Sequence, residues 1–343
     1  MHTSTRASVT TGLRQALPYL RLYQGRTFVV KAGGAVFQDP EATDQLLEQI
    51  GILHQVGVNV ALVHGGGPQT TALATRLGLD TTMVGGRRVT DAETIQASAM
   101  ALNGQVRTSI VARLRKHGVR AAGLSGVDVG LATATRRPPV RSEGGELVDF
   151  GYVGDLASVD PTILDALFRE RVVPVISPLS ADAEGQMLNV NADTFAARLA
   201  VECGAIKLIL ISDVPGLMED PADPASLISY VDAVELDQLE ASGIVAGGMR
   251  PKVAAIRAAL AGGVPRAHLI GHRTGDGLIA EVFTNEGCGT MFVRTRGELD
   301  PSEANAPDAA SIEVVSQGDA GQVSHAGHGD HTGHAGHAGE ISA

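Results

Sequence analysis

The stretch V-N-V-A-L-V-H-G-G-G-P-Q, residues 58–69, decides the fold of this chain. Its first six residues form a short, β-branched and nearly uncharged run, which predicts a buried strand. The glycines at 65–67 carry no Cβ, so the backbone can turn sharply there and bring its N–H groups close to a ligand. Pro68 suits the first turn of a helix. A strand, a glycine turn and a helix N-terminus in this order predict an anion site, because unpaired N–H groups and the helix dipole point at the turn.

This stretch alone leaves two interpretations open. It matches neither G-x-G-x-x-G nor G-x-x-x-x-G-K-[ST], and three glycines after a strand also occur as plain loop geometry. His64, directly before the glycines, could act as a base or could position and pack the turn. Residues elsewhere in the chain are needed to distinguish a phosphate-binding site from a simple loop.

Length and composition indicate the general class of protein. The chain has 343 residues, of which 44% are hydrophobic, and its mean hydropathy is +0.10. These values indicate a compact protein with a large core. Only 3% of the residues are aromatic, Trp is absent and the net charge is −11, which argues against a nucleic-acid partner.

The two cysteines indicate a reducing compartment. Cys203 and Cys288 show no metal-ligand or disulfide spacing, so we expect them to be small buried residues. No apolar run approaches the roughly 20 residues of a membrane span, and residues 1–11 are not followed by the apolar core of a signal peptide. We therefore expect a cytoplasmic protein with no membrane partner.

A lysine ends the first predicted strand. The segment T-F-V-V-K, residues 27–31, runs into a glycine pair, and a predicted helix at 40–56 leads on to the strand at 58–63. Two apolar strands joined by a helix predict a βαβ unit with parallel strands. Open α/β sheets bind ligands at the carboxyl ends of such strands, so Lys31 is a candidate for neutralising phosphate oxygens.

Lys252 is a second candidate for the same task. It opens a predicted helix at 253–261, where a cation opposes the helix dipole. A lysine in that unfavourable position usually binds an anion, which makes Lys252 a candidate for contacting phosphate.

Polar residues near other predicted elements could hold a small polar substrate. Arg87 and Arg88 precede a helix that Thr90 could cap, and either guanidinium group could bind a carboxylate in bidentate fashion. Asn189 would supply neutral hydrogen bonds. Asp193 either faces the same site or caps the helix that follows it.

Six motifs in order resemble the N-acetylglutamate kinase family of the amino-acid kinase superfamily. They cover roughly residues 13–294 at family-like spacing, and six in register are far more specific than any one. The motifs are Lys31-x-Gly33-Gly34, His64-Gly65-Gly66-Gly67-Pro68-Gln69, Arg88-Val89-Thr90, Asn189-Val190-Asn191-Ala192-Asp193, Ser212-Asp213-Val214-Pro215-Gly216 and Gly247-Gly248-Met249-x-Pro251-Lys252. The chain departs from the family after His268 and at Arg107, where asparagine is common.

The resemblance implies an α/β fold, namely a three-layer αβα sandwich with a mainly parallel central sheet, at residues 25–295. The N-lobe, about 25–180, would bind the amino acid, and the C-lobe, about 181–295, would bind ATP. A helical extension at 1–24 precedes this domain. A disordered, His-rich tail at 296–343 is expected to follow it.

The resemblance also implies a reaction. ATP, with Mg²⁺, would phosphorylate N-acetyl-L-glutamate to N-acetyl-L-glutamyl 5-phosphate in arginine biosynthesis. Lys31 and Lys252 match the two catalytic lysines, and Asp193 matches the aspartate that orients them. The matched substrate positions are Gly66, Gly67, Arg88 and Asn189. The matched ATP and phosphate positions are Gly33, Gly34, Gly65, Ser212, Asp213 and Gly216. No residues are assigned to a metal held by the protein itself.

The N-terminal extension resembles that of arginine-inhibited family members, which interlace these helices into hexamers. A homo-oligomer, either a dimer or a hexamer, and an arginine effector are therefore expected. The implied effector positions are Tyr19, His268, Glu286 and Gly287.

Two other functions are considered beside this one. A sister kinase could act on a carrier-protein-linked aminoadipate or glutamate, although the acidic chain offers little surface for an acidic carrier. A non-catalytic arginine sensor or metal-binding assembly protein could keep the fold, but it would have no reason to retain both lysines and Asp193.

The tail carries a histidine at every third position. His325, His328, His331, His334 and His337 lie among Gly and Ala. Such a tract can chelate nickel, zinc or copper, or it can be a solvated segment without a role.

Overall fold

The computed structural model describes residues 2–85, 87–141, 145–284 and 287–295, and its centre is an eight-stranded sheet. The strand order is β14-β16-β15-β13-β1-β2-β10-β5. All neighbouring pairs are parallel except β15 and β16, which are antiparallel. The predicted βαβ unit is present, since β1 and β2 lie side by side in parallel and α2 connects them.

The strands and helices have the following bounds. The sheet strands are β1 Thr27–Ala32, β2 Asn59–His64, β5 Ala121–Ser125, β10 Val173–Ser177, β13 Lys207–Ser212, β14 Tyr230–Val231, β15 Arg266–Gly271 and β16 Thr290–Phe292. A second sheet, in the order β12-β11-β6-β9, contains β6 Ala132–Arg136, β9 Gly154–Val159, β11 Leu179–Ala181 and β12 Met187–Asn189. Two small hairpins pair β3 Met83–Val84 with β4 Arg87–Arg88 and β7 Val140–Arg141 with β8 Leu147–Val148. The α-helices are α1 His2–Tyr23, α2 Pro40–Gln55, α3 Gly67–Arg76, α4 Ala92–Ala99, α5 Thr108–Leu114, α6 Thr162–Arg169, α7 Ala192–Glu202, α8 Ala233–Ala241, α9 Met249–Ala261 and α10 Gly277–Phe283.

Two cores, one on each face of the central sheet, form the predicted sandwich. The alternation of side chains along β1 shows the division, because Phe28 and Val30 enter one core and Val29 enters the other. Helices α2, α5 and α10 cover the first core, and α7 and α9 cover the second. Burial on both faces explains why the central strands read as continuous apolar runs.

The turns after β1 and β2 interlock at the carboxyl edge of the sheet. A Cβ on Gly34 would lie 2.8 Å from Cδ of Pro68 and 2.9 Å from Cα of Gly66. The side chain of Gln69 donates from Nε2 to the carbonyl oxygen of Gly34 at 2.7 Å. Since no room is left for a side chain at Gly34, the two glycine turns form one surface.

One helix cap differs from the expectation. Thr90 does not cap α4, because Asp91 does so by accepting from the N–H of Thr94 at 2.7 Å. Helix α1 contains Pro18 and continues past it to Tyr23. Residues 100–107, between α4 and α5, form a π-helix.

None of the helices in the described ranges is both long enough and apolar enough to span a bilayer.

Candidate active site

Lys31 and Asp193 form a buried ion pair at the carboxyl edge of the sheet. Lys31 is the fifth residue of β1, so its side chain points to the same face as Val29, toward α7. Its Nζ lies 2.7 Å from Oδ1 of Asp193, and each side chain is only 6% exposed. A charge this deeply buried needs a partner, and each residue supplies the partner of the other.

The cap of α7 explains why Asp193 is available for this pair. Asn191 is the N-cap, and its Oδ1 accepts from the N–H groups of Asp193 at 2.9 Å and Thr194 at 3.0 Å. The alternative in which Asp193 caps this helix is therefore wrong. Asp193 lies in the first turn, where the helix dipole also favours a carboxylate.

Lys252 meets the same carboxylate from the opposite side. It lies in the early part of α9, which packs against α7. Its Nζ is 3.7 Å from Oδ2 of Asp193, and its side chain is 21% exposed. The structure thus brings together two lysines that are more than two hundred positions apart in the sequence, with the more exposed one free to turn toward a ligand.

The two lysines keep Asp193 ionised. Burial by itself raises the pKa of this carboxyl, but the charges of Lys31 and then of Lys252 outweigh that effect and hold the pKa below its ordinary value. The three groups together carry one net positive charge. An anion brought to this edge therefore meets a positive field.

Glycine N–H groups face the same edge. Within the described residues, the N–H groups of Gly66 and Gly67 have no protein acceptor, and Gly66 is the N-cap of α3. On the β1 side, a Cβ on Gly33 would lie 4.0 Å from Nζ of Lys31. Gly65 is held in place, because its N–H donates to the carbonyl oxygen of Ala32 at 2.9 Å. Free N–H groups, a helix N-terminus and lysines are the donors that phosphate binds.

Arg88 borders the glycine turn on its other side. Its Nη2 donates to the carbonyl oxygen of Gly67 at 3.2 Å and to Oγ1 of Thr71 at 2.5 Å. Its Nη1 is buried and has no partner within the described part of the chain. A guanidinium nitrogen without a partner is suited to bind a carboxylate.

Asn189, the last residue of β12, is half-buried, and its backbone N–H donates to the carbonyl oxygen of Tyr152 at 2.8 Å. The side chain of Arg87 lies outside the described part of the structure.

The remaining predicted nucleotide residues lie at the end of β13. The carbonyl oxygen of Ser212 accepts from the N–H of His272 at 2.9 Å and from its Nδ1 at 3.0 Å. Asp213 is exposed, and its Oδ1 is 3.5 Å from Nδ1 of His272. Gly216 is explained by packing, because a Cβ there would lie 2.5 Å from Oγ1 of Thr290.

Three of the predicted effector residues, Tyr19, His268 and Gly287, lie at a different cluster, at the amino end of β13 and β15. Nδ1 of His268 is 2.7 Å from Oε1 of Glu281, and its Nε2 is 3.4 Å from Nζ of Lys207. Lys207 also lies over the ring of Tyr23, 5.3 Å from its centroid. The rings of Tyr19 and Tyr23 are 6.1 Å apart. Sequence reasoning missed Lys207 and Glu281, which bring the charges to this cluster.

Glu281 is held in its ionised form. Burial opposes ionisation, but the hydrogen bond and charge of His268 and the N–H groups of Cys288 and Gly289 lower the pKa of Glu281 to about 2. Gly287 adjoins the same carboxylate, since a Cβ there would lie 3.0 Å from Oε2 of Glu281. Glu286 and the histidine tail, residues 296–343, lie outside the described residues.

Comparisons with known proteins agree with this geometry. The family model for the amino acid kinase family matches residues 26–271. The chain therefore belongs to the amino acid kinase family, and like its members it is an ATP-using kinase.

The chain is also similar to individual acetylglutamate kinases. It is 44% identical over 293 residues to the acetylglutamate kinase of Myxococcus xanthus, covering 84% of this chain and 95% of that one. It is 42% identical over 285 residues to the acetylglutamate kinase of Methanothermobacter thermautotrophicus, covering 82% of this chain and 97% of that one. Within the family, this chain is a member of the acetylglutamate kinase group.

Solved structures show the same fold. The N-acetylglutamate synthase of Neisseria gonorrhoeae, complexed with coenzyme A and N-acetyl-glutamate, superposes with a TM-score of 0.71 at 26% identity over 83% of this chain. The present chain spans 63% of the length of that synthase. Carbamate kinase from Giardia lamblia, bound to AMP-PNP, superposes with a TM-score of 0.58 at 16% identity, covering 79% of this chain and 99% of that one.

Substitution of Asp193 by Asn should destabilise the fold in a pH-dependent manner. The change leaves the buried Lys31 and the half-buried Lys252 facing each other without a carboxylate between them, so we expect a loss of about 3–5 kcal/mol in the free energy of unfolding at pH 7. Because the folded-state pKa of Asp193 is lowered, its contribution is complete well above pH 3.8 and is lost as the pH falls through the folded-state value. The difference between wild type and variant should therefore shrink under acidic conditions. Urea unfolding at several pH values measures it.

The matched control for this measurement is Asp237→Asn. Asp237 forms a surface ion pair with Arg257 at 2.7 Å and is 67% exposed, so its loss should cost no more than about 1 kcal/mol. Equal costs for the two variants at pH 7 would show that the buried pair stabilises no more than a surface pair does.

Proposed function

We propose that this chain transfers the γ-phosphoryl group of ATP to the γ-carboxylate of N-acetyl-L-glutamate, forming N-acetyl-L-glutamyl 5-phosphate in arginine biosynthesis. The observation that carries the proposal is the placement of two lysines on one buried carboxylate, beside glycine N–H groups without protein acceptors. The similarity to acetylglutamate kinases along almost their whole length supports the choice of substrate.

The reaction needs charge neutralisation more than it needs a base. A bond forms between a carboxylate oxygen and the γ-phosphorus, and the bond from that phosphorus to the β,γ-bridging oxygen breaks, releasing ADP. A carboxylate is already a nucleophile, so no proton has to be removed. The barrier comes from placing two anions in line, and positioned cations and N–H groups lower it.

The catalytic roles follow from position. Lys31, fixed by its short contact with Asp193, neutralises oxygens on the transferring phosphoryl group. Lys252, at the longer distance of 3.7 Å, is free to follow the charge as it moves to the leaving group. Asp193 holds both ammonium groups at the edge where the reacting atoms meet.

The binding roles divide between the two sides of the site. On the substrate side, Arg88 offers its buried Nη1 to a carboxylate of N-acetyl-L-glutamate, and Asn189 offers an amide. Gly66 and Gly67 offer N–H groups where the substrate's reacting carboxylate meets the transferring phosphoryl group. The ATP side consists of the residues at the ends of β1 and β13, namely Gly33, Gly34, Gly65, Ser212, Asp213 and Gly216. A lobe boundary near residue 180 and a cytoplasmic location remain predictions.

Mg²⁺ fits this site only as a partner of the nucleotide. Among the described residues, no group of three His, Cys, Asp or Glu side chains could hold a metal ion, and Asp193 is already engaged by two lysines. Magnesium commonly binds through substrate phosphates and keeps several waters. When bound to ATP, it would neutralise charge on the phosphate oxygens, and Asp213, an exposed carboxylate at the end of β13, would accept hydrogen bonds from its waters.

A substrate panel tests the proposed reaction. In a coupled hydroxamate assay we expect turnover with N-acetyl-L-glutamate and little or none with glutamate or aminoadipate, whether free or linked to a carrier protein.

Lys252→Met should lower kcat by about 10²–10³-fold, because one positioned charge is lost in the transition state, with a smaller change in KM. Arg257→Met, a matched removal of a surface cation on the same helix, should retain kcat.

The competing functions predict other outcomes. Preferred turnover of the carrier-linked substrate would assign the chain to the sister kinase. No turnover with any acid, together with arginine binding, would assign it to the sensor. Either result would overturn the proposed reaction.

We further propose that arginine binds at the cluster formed by Lys207, His268 and Glu281. The cluster lies where α1 and α10 meet, and it offers a buried carboxylate for a guanidinium group and an ammonium for a carboxylate. Its position at the amino ends of β13 and β15 separates it from the phosphate edge, as an effector site requires.

The effector proposal is tested with Glu281→Gln, which keeps the shape and removes the charge. We expect arginine to inhibit the wild type, and the variant to need at least about tenfold more arginine, because a charge-assisted hydrogen bond is lost. Glu202→Gln, which alters an exposed ion pair with Arg198, is the control and should leave inhibition unchanged. An unchanged arginine response in the Glu281 variant would place the effector elsewhere.

We also propose that the protein is a homo-oligomer in which α1 contributes an interface. Leu13 and Leu17 lie one helical turn apart on the same face of α1, and they are 60% and 42% exposed. Two exposed leucines in the second half of a helix that ends in the core, at Tyr23, are suited to contact with a second copy of the chain.

Substitution of both leucines by aspartate should dissociate that interface. We expect the mass measured by analytical ultracentrifugation to fall by a whole-number factor, because two charges would enter an apolar contact. Arg14→Ala, a change on the exposed part of the same helix, should leave the mass unchanged. An unchanged mass in the double variant would exclude this face from the assembly.

A further inference from the structure

We propose that His64 is a positioning residue that locks the peptide between Gly65 and Gly66, so that the N–H of Gly66 faces the transferring phosphoryl group. The inference rests on the proposed kinase reaction. It adds a role for a residue that the chemistry above leaves without one.

The peptide between Gly65 and Gly66 is free to rotate unless something holds it. Glycine occupies both halves of the φ range with little penalty, so a peptide flanked by two glycines can exchange the directions of its C=O and N–H. A rotated peptide would present a carbonyl oxygen, rather than an N–H donor, to an incoming anion.

His64 supplies the restraint. Its Nδ1 lies 3.1 Å from the carbonyl oxygen of Gly65. That oxygen and the N–H of Gly66 belong to one trans peptide, so they point in opposite directions. Holding the oxygen on the side of His64 therefore directs the N–H of Gly66 away from it, toward the edge where this N–H has no protein acceptor.

The surroundings of His64 fix its proton on Nδ1. The side chain is completely buried, and Nε2 has no partner among the described residues. A second proton on Nε2 would be a buried charge without a partner. Burial accordingly lowers the pKa of His64 to about 4, with the charge of Arg107 acting in the same direction and the bond to Gly65 opposing both. The neutral ring with a proton on Nδ1 is the form that donates to Gly65.

Packing keeps the ring and the turn in register. A Cβ on Gly66 would lie 2.5 Å from Cδ2 of Leu102, so the π-helix presses directly on the turn. The ring of Phe37 meets the ring of His64 edge to face at 6.3 Å between centroids. These contacts hold the imidazole beside the turn, with its Nδ1 within hydrogen-bond distance of the Gly65 carbonyl oxygen.

Two amide substitutions separate positioning from packing. Asparagine places an N–H donor where Nδ1 lies, whereas glutamine places it near Nε2. We expect His64→Asn to keep kcat within about threefold of wild type. We expect His64→Gln to lose at least about tenfold in kcat, because one donor to the transferring group is misdirected. Both KM values should stay within about threefold, and thermal unfolding of each variant establishes that it is folded.

Equal kcat values in the Asn and Gln variants would overturn the proposal, whether both are high or both are low, since packing alone would not distinguish the two amides. A measurement independent of turnover is the ¹⁵N NMR spectrum of histidine-labelled wild-type protein, with the His64 signal assigned by its loss in the Asn variant. The proton is expected on Nδ1 at pH 7, and a proton on Nε2 would also overturn the proposal. Absence of turnover in the wild type would instead reject the kinase reaction and leave the NMR result to decide the peptide restraint.

Discussion

The attraction between one carboxylate and two ammonium groups joins three distant parts of this chain. Asp193 faces Lys31 on β1 and Lys252 on α9, so the first strand and the ninth helix meet at a single buried charge. A lone buried lysine would lose its proton or turn to solvent. Because the carboxylate keeps Lys31 in place at 6% exposure, the edge of the sheet holds a cation that is oriented before any ligand arrives.

The backbone N–H groups of the glycine turns, like Lys31, are oriented before a ligand binds. The turn after β1 and the turn after β2 interlock at Gly34. The side chain of Gln69, on the second turn, connects them by donating from Nε2 to the carbonyl oxygen of Gly34. Backbone N–H groups held in this way need little reorganisation when charge develops on a phosphoryl group. The lysine ammonium groups and the backbone N–H groups thus come from different elements. The interlocked turns set the distance between these two kinds of donor.

The sequence predicted the sheet and the paired lysines better than it predicted helix ends. Short, β-branched apolar runs favour strands covered on both faces, and the resemblance of the ordered motifs to a known family placed Lys31 and Lys252 at one site. Caps are harder, because Asn191 and Asp193 are both good N-cap residues and only the packing of Lys31 selects between them. The same competition gave Asp91 rather than Thr90 as the cap of α4. The π-helix at 100–107 has no periodic signature, since it forms where Leu102 packs on Gly66 and Asn103 accepts from Ser177 at 2.6 Å. Glu281 escaped notice for a related reason, because a carboxylate on an amphipathic helix looks solvated until the fold buries it.

The position of the effector cluster limits how it can act on the reaction. Lys207 begins β13 and Ser212 ends it, so six residues of strand, about 16 Å, separate the cluster from the phosphate edge. Strand β13 is hydrogen-bonded on both sides, to β1 and to β15, so it does not shift independently of the sheet. Helix α10 offers the other route, because it carries Glu281 and its first N–H groups donate to Oε1 of Gln49 on α2, from Leu278 at 2.9 Å and from Ile279 at 3.2 Å. Since α2 begins just after the glycine turn of β1, a rigid shift of α10 would move the ATP side of the site against the substrate side. We therefore propose that an effector bound at this cluster acts on the distance between two preformed halves of the site rather than on any single catalytic group.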